Sequence, residues 1–212
     1  MSATAATLAG RATEGHAHPE LAVVDEPQTG LGNEWFGLVL FLVSEAMLFA
    51  ALFAQYFYVR INSAQWPPPG THVAPAFPLA AILTGILVLS GFTAHFAQTA
   101  IRKNDQEGTR AWLLVSILLG VVFLAGQVYE YSELIAEGLT IGSGIYGSVF
   151  YVLTGLHGIH VSVGVLLLIG VLVRAIMGHF SPTNHFGLEG TVLYWHFVDI
   201  VWFALYVSVY IL

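Results

Sequence analysis

Apolar positions along the chain run in five long blocks, at roughly 35–60, 77–102, 111–136, 146–175 and 190–212. Each block is long enough to cross about 30 Å of hydrocarbon as an α-helix rising 1.5 Å per residue. The separators are of another kind. "QWPPPGTHVAPAFP" holds five prolines and is no helix. "RKNDQEGTR" is a short charged turn, "EGLTIGSGIYG" is glycine-rich, and "GHFSPTNHFGLEG" is polar with Ser-Pro and Gly. The pattern predicts an all-α integral membrane protein, with five transmembrane helices in a bundle over residues 34–212. Residues 1–33 read as a mobile polar tail without the 7–15-residue apolar core of a secretory signal. In such a tail His16 and His18 make a poor metal site.

Composition agrees with a bilayer setting. The chain is 57% hydrophobic and 9% charged, against about 25% charged in soluble domains. With no cysteine, it has no disulfide, thiolate metal site or thiol nucleophile. A net charge of −7 and only six Lys and Arg exclude the basic patch of a nucleic-acid binder. Five of those six (Arg11, Arg102, Lys103, Arg110 and Arg174) fall on one side if the tail is inside, and only Arg60 on the other. The positive-inside rule then puts the N-terminus in the cytoplasm and Leu212 outside. Trp35, Trp66 and Trp112 stand near span ends, as interfacial aromatics do. Small residues recur every fourth position at Ala46, Ala50 and Ala54, and at Thr154, Gly158 and Ser162. Such stripes read as packing faces.

The candidate chemistry lies in the polar residues inside the spans. Glu45 interrupts "FLVSEAMLFAALF", and a charged side chain at mid-membrane costs roughly 2.5–3.5 kcal/mol on insertion scales. Glu130 and Glu133 stand three apart, as do His157 and His160, and His196 and Asp199. Residues three apart share a helix face, so each pair is expected to point one way, into the bundle or toward a partner. A carboxylate-bridged metal site would want Glu-x-x-His pairs, which are missing. A His pair at i, i+3 on one helix is also wrong for the two axial positions of one haem. From the residues alone three roles stand open: structural polar locks, proton handling, and contacts to lipid or a partner.

The blocks "LVSEAMLFAALFAQYFY", "GQVYEYSEL", "GSVFYVLTGLHGIHVSVG", "NHFGLEG" and "YWHFVDIVWFALYVSVYIL" resemble subunit III of the haem–copper oxidases, in the family's order over residues 34–212. The resemblance implies a non-redox subunit of an aa3-type cytochrome c oxidase in aerobic respiration, in the bacterial cytoplasmic (inner) membrane. It implies no catalytic residue, cofactor or metal on this chain, with haem a and copper held by partner subunits. Subunit I is the implied main contact. Subunit II, a small subunit, membrane phospholipids and a respiratory supercomplex are the further partners. Support of proton uptake, of lipid and oxygen access and of turnover stability is the implied role. Glu45 matches the family's carbodiimide-reactive carboxylate, a reactivity that requires a protonated carboxyl. Glu130, His157, His160, His196 and Asp199 match its other intramembrane polar residues, and Glu133 completes the set. Many members have seven spans. This chain looks like a short five-span bacterial form beginning at the family's third, which removes one wall of the lipid cleft. Related third subunits occur in quinol oxidases and beside nitric oxide reductases, so the resemblance extends to them. A self-contained transporter would need helices broken at the midplane, and these spans read as continuous.

Overall fold

The computed structural model describes residues 32–69, 77–181 and 185–211. The tail expected over 1–33, with His16 and His18, lies outside them apart from Gly32 and Asn33. Five helices follow one another: α1 (Asn33–Asn62), α2 (Phe77–Arg102), α3 (Gln106–Ala136), α4 (Ile145–Ile176) and α5 (Phe186–Tyr206), the last running into a π-helical turn, Val207–Ile211. All five are long and apolar enough to cross a membrane. The chain is thus a multi-pass helical membrane protein, as its hydropathy pattern predicts.

The ends of the helices follow from local chemistry. α3 starts at Gln106, five residues ahead of the apolar block, because the Asp105 side chain accepts the Gly108 N–H at 2.8 Å and caps the first turn. The charged turn therefore shrinks to Lys103–Asp105, with Asn104 at φ +61°. So short a link forces α2 and α3 antiparallel, and they form the most extensive helix pair. α5 likewise starts earlier than the apolar block, at Phe186. There Glu189 in the first turn accepts hydrogen bonds from Arg102 and Gln98 of α2, and His185 Nε2 lies 3.1 Å from it. An acid at a helix N-terminus is favoured by the helix dipole.

The core is organised by α5. Trp195 is completely buried and its indole N–H donates to Ser90 Oγ of α2 at 3.0 Å. Its six-membered ring fills a slot between α3 and α4 that exists because both helices carry glycine there. A Cβ at Gly120 would fall 2.9 Å from the ring, and one at Gly164 would fall 2.6 Å from it. Two turns on, Trp202 repeats the tie, donating to Thr84 Oγ1 at 2.9 Å. The hydroxyls of Thr93 and Ser116, 2.7 Å apart, join α2 to α3.

α1 stands apart from this order. Of its 30 residues only Phe49 and Tyr56 are buried. It touches α4 and α5, and Tyr56 donates its hydroxyl to the Ser208 carbonyl at 2.7 Å. The two small-residue stripes diverge. Thr154 is buried and Gly158 makes room for the Gln127 amide, so α4's stripe is a packing face. Ala46, Ala50 and Ala54 are exposed, so α1's stripe packs against nothing within the described chain.

The slot around Trp195 makes a contrast testable. Gly164→Ala overpacks it at a cost of about 1–3 kcal/mol. Gly170→Ala, on the same helix with nothing within 4 Å of the new methyl, leaves stability unchanged or slightly raised. Thermal unfolding in mild detergent distinguishes the two.

Candidate functional site

Glu45, Glu130, His160, His196 and Asp199 fall into three separate places, each between helices. The first joins α1 to α4. Glu45 Oε2 lies 2.9 Å from His160 Nε2, with 20% and 12% of the two side chains exposed. The other ring nitrogen, Nδ1, is 2.8 Å from the Leu156 carbonyl. A carbonyl oxygen only accepts, so Nδ1 carries the proton that it donates. Nε2 then either accepts from a protonated Glu45 or, as imidazolium, donates to its carboxylate. In both cases the contact between Glu45 and His160 holds one proton, and the pair has no net charge. Phe49 covers the imidazole edge-on at 4.9 Å, and Tyr194 of α5 donates its hydroxyl to the His160 carbonyl at 3.1 Å. From Phe41 and Tyr194 toward the starts of α1 and α5, a groove of about 340 Å³ opens between α1, α4 and α5, lined also by Glu34, Leu38, Leu167 and Phe186.

The second place lies where α3 ends and α4 begins. Glu130 is 1% exposed, and its Oε1 accepts the Tyr210 hydroxyl at 2.9 Å. Its Oε2 has no partner in the described chain. Around it, Gln127 donates to the Thr154 carbonyl at 3.1 Å. Thr154 gives its own hydroxyl proton to the Phe150 carbonyl, so Tyr131 is the donor in the 2.7 Å contact between Tyr131 and Thr154. Glu133 does not join this group. It is exposed, because residues three apart on a helix are still about 60° apart, and the edge of the helix contact falls between them.

The third place lies between α2 and α5. Asp199 Oδ2 is 3.7 Å from His196 Nδ1, beyond hydrogen-bond length, and Oδ1 is buried without a partner. The carboxylate lies over Gly91, where even a methyl group would collide with it.

His157 belongs to none of these. It is completely buried, stacked on Trp202 at 5.0 Å and edge-on to Phe123 at 6.0 Å. Neither of its ring nitrogens has a partner in the described chain. The expectation that His157 and His160 point one way fails for the reason given for the glutamates: His157 faces α3 and α5, while His160 faces α1. Only His196 and Asp199 stay together. Among the described residues, no group of three or more His, Asp and Glu side chains is placed to hold a metal ion. Sequence patterning gives no weight to Gln127, Tyr194, Tyr210 or His95. Tyr210 could have been suspected, since a buried acid needs a donor and the last span offers few.

Five long apolar helices that carry acids and histidines within their spans define a polytopic membrane protein. The sequence pattern of the family described as cytochrome c oxidase subunit III matches residues 24–212. The chain belongs to that family. It is 44% identical over 204 residues to the cytochrome c oxidase subunit 3 of Synechocystis, covering 96% of this chain and 81% of that protein. The subunit 3 of Thermostichus vulcanus is 40% identical over 198 residues, 93% of this chain and 90% of its own. That of Drosophila melanogaster is 38% identical over 185 residues, 85% of this chain and 69% of its own.

Tyr210→Phe leaves both oxygens of Glu130 without a donor, at an expected cost of about 1–3 kcal/mol. Adding Glu130→Leu removes the buried acid as well and recovers most of that loss. The check is thermal unfolding of the single and double variants side by side.

Proposed function

We propose that this chain is the non-redox third subunit of an aa3-type cytochrome c oxidase in a bacterial cytoplasmic membrane. It docks on subunit I, with subunit II and a small subunit in the same complex, and steadies the enzyme during turnover. Haem a and copper sit in the partner subunits. The N-terminus lies in the cytoplasm, which the distribution of Lys and Arg supports. Membrane phospholipid occupies the groove between the starts of α1 and α5, where Leu38, Phe41 and Leu167 suit an acyl chain.

The observation that carries the reading is the Glu45–His160 contact. It is a polar tie between a helix that is otherwise weakly held and the four-helix remainder. A shared proton inside an apolar contact fastens helices without leaving a net charge in lipid. In this role Glu45 acts on the lifetime of the assembly and not as an obligatory step in proton transfer.

Two measurements test the reading. A tagged chain, drawn from native membranes in mild detergent, is expected to bring down two larger membrane subunits and the reduced-minus-oxidised spectrum of haem a. A colourless chain purified alone would sink the assignment. In the intact oxidase, Glu45→Ala is expected to leave the initial rate of oxygen consumption within about twofold and to shorten the active lifetime severalfold. Complete loss of the first turnovers would make Glu45 part of the chemistry instead.

A further inference from the structure

The outward face of α2 and α5 holds titratable side chains within the membrane span. His95 is exposed, and its imidazole makes no hydrogen bond within the described chain. His196 exposes 38% of its side chain. The two imidazoles have centroids 6.5 Å apart, and Asp199 lies behind them with one oxygen unpartnered. Phe92 and Ile200, one turn from His95 and His196 on their helices, are exposed, as is Phe203.

Depth decides what can cover this face. His196 stands ten residues from Phe186 and fifteen from Ile211, where the spanning helix ends, and His95 stands seven from Arg102. At 1.5 Å per residue both imidazoles stand about 10 Å or more inside the ends of their helices. Phospholipid headgroups lie outside a hydrocarbon layer about 30 Å thick and do not reach it. Acyl chains reach it but offer no hydrogen bond. A Lys, Arg or carboxylate from a partner would bring its own cost to mid-span. Glu45 and His160, by contrast, satisfy each other within the chain.

We propose that a membrane-spanning helix of another oxidase subunit docks on this face and presents a neutral hydrogen-bonding side chain, such as Ser, Thr, Asn, Gln or Tyr, to His95 and His196. The proposal rests on the reading of the chain as an oxidase subunit, and adds which face is covered and what chemistry recognises it. The exposed phenylalanines supply the apolar contact, and the imidazoles fix the register of the docked helix.

The test uses the whole complex in native membranes. The photoreactive residue p-benzoylphenylalanine replaces Phe92 in one variant and Phe203 in another. Irradiation is expected to join both to the same polytopic subunit of the haem-bearing complex, identified by mass spectrometry. Adding His95→Leu is expected to lower the yield at Phe203 at least threefold, and His95→Asn to restore it. Adducts with lipid alone, or with a second copy of this chain, while the haem-bearing subunits still copurify, would overturn the proposal and leave the oxidase reading standing. An unchanged yield in His95→Leu would remove the hydrogen-bonding claim. If no haem-bearing subunit copurifies at all, the oxidase reading falls and the proposal falls with it.

Discussion

Trp195 is the contact on which the helix arrangement depends. Its indole is held from three sides at once: by the Ser90 hydroxyl on α2, by Gly120 on α3 and by Gly164 on α4. In hydrocarbon, where apolar side chains gain little by leaving lipid for one another, helices associate through close packing and hydrogen bonds. One buried ring that meets three helices supplies both. Trp202, two turns further along α5, repeats the tie to α2 through Thr84 and adds the ring that stacks on His157. α5 thus sets the spacing of α2, α3 and α4, while α1 is added at the edge.

That division explains how the polar residues are used. Within the four-helix part, Glu130 is buried with one oxygen unpartnered, and Asp199, whose Oδ1 is unpartnered too, packs closely enough that glycine is needed beside it. At the edge, Glu45 and His160 meet in a partly open contact and leave neither acid nor imidazole without a partner. The same residue types are packed into the interior in one part of the molecule and meet across a helix contact in another.

The fold was largely legible in the sequence, because hydropathy over 20 or more residues is a strong signal. α2 begins and ends where the apolar block does, at residues 77 and 102. The misjudged ends are those where polar residues continue a helix into the interface, as at Gln106–Arg110, and there the cap at Asp105 decides. The site was legible only in part. Glu45, Glu130, His157, His160, His196 and Asp199 stand out because each is out of place in an oily run, but their partners do not. No spacing rule relates Glu45 to His160 or Glu130 to Tyr210, since those contacts are set by how helices distant in sequence cross. Sharing a face at i, i+3 proved too coarse, because the boundary between a buried and an open surface can pass between Glu130 and Glu133.

The 115 residues that separate Glu45 from His160 carry a consequence for how the protein is made. At 5–20 residues per second, roughly 6 to 23 s of synthesis pass between the two side chains. For that interval α1 is in the bilayer with its acid unmatched, so its insertion has to be favourable without the imidazole. Roughly five to ten Leu, Ile, Phe or Val residues, at about 0.3–0.6 kcal/mol each, offset one charged group. Between Phe36 and Ile61 there are 14. The oiliness of α1 is therefore a requirement of its place in the order of synthesis: a helix made 115 residues ahead of its polar partner must settle in the membrane before that partner has left the ribosome.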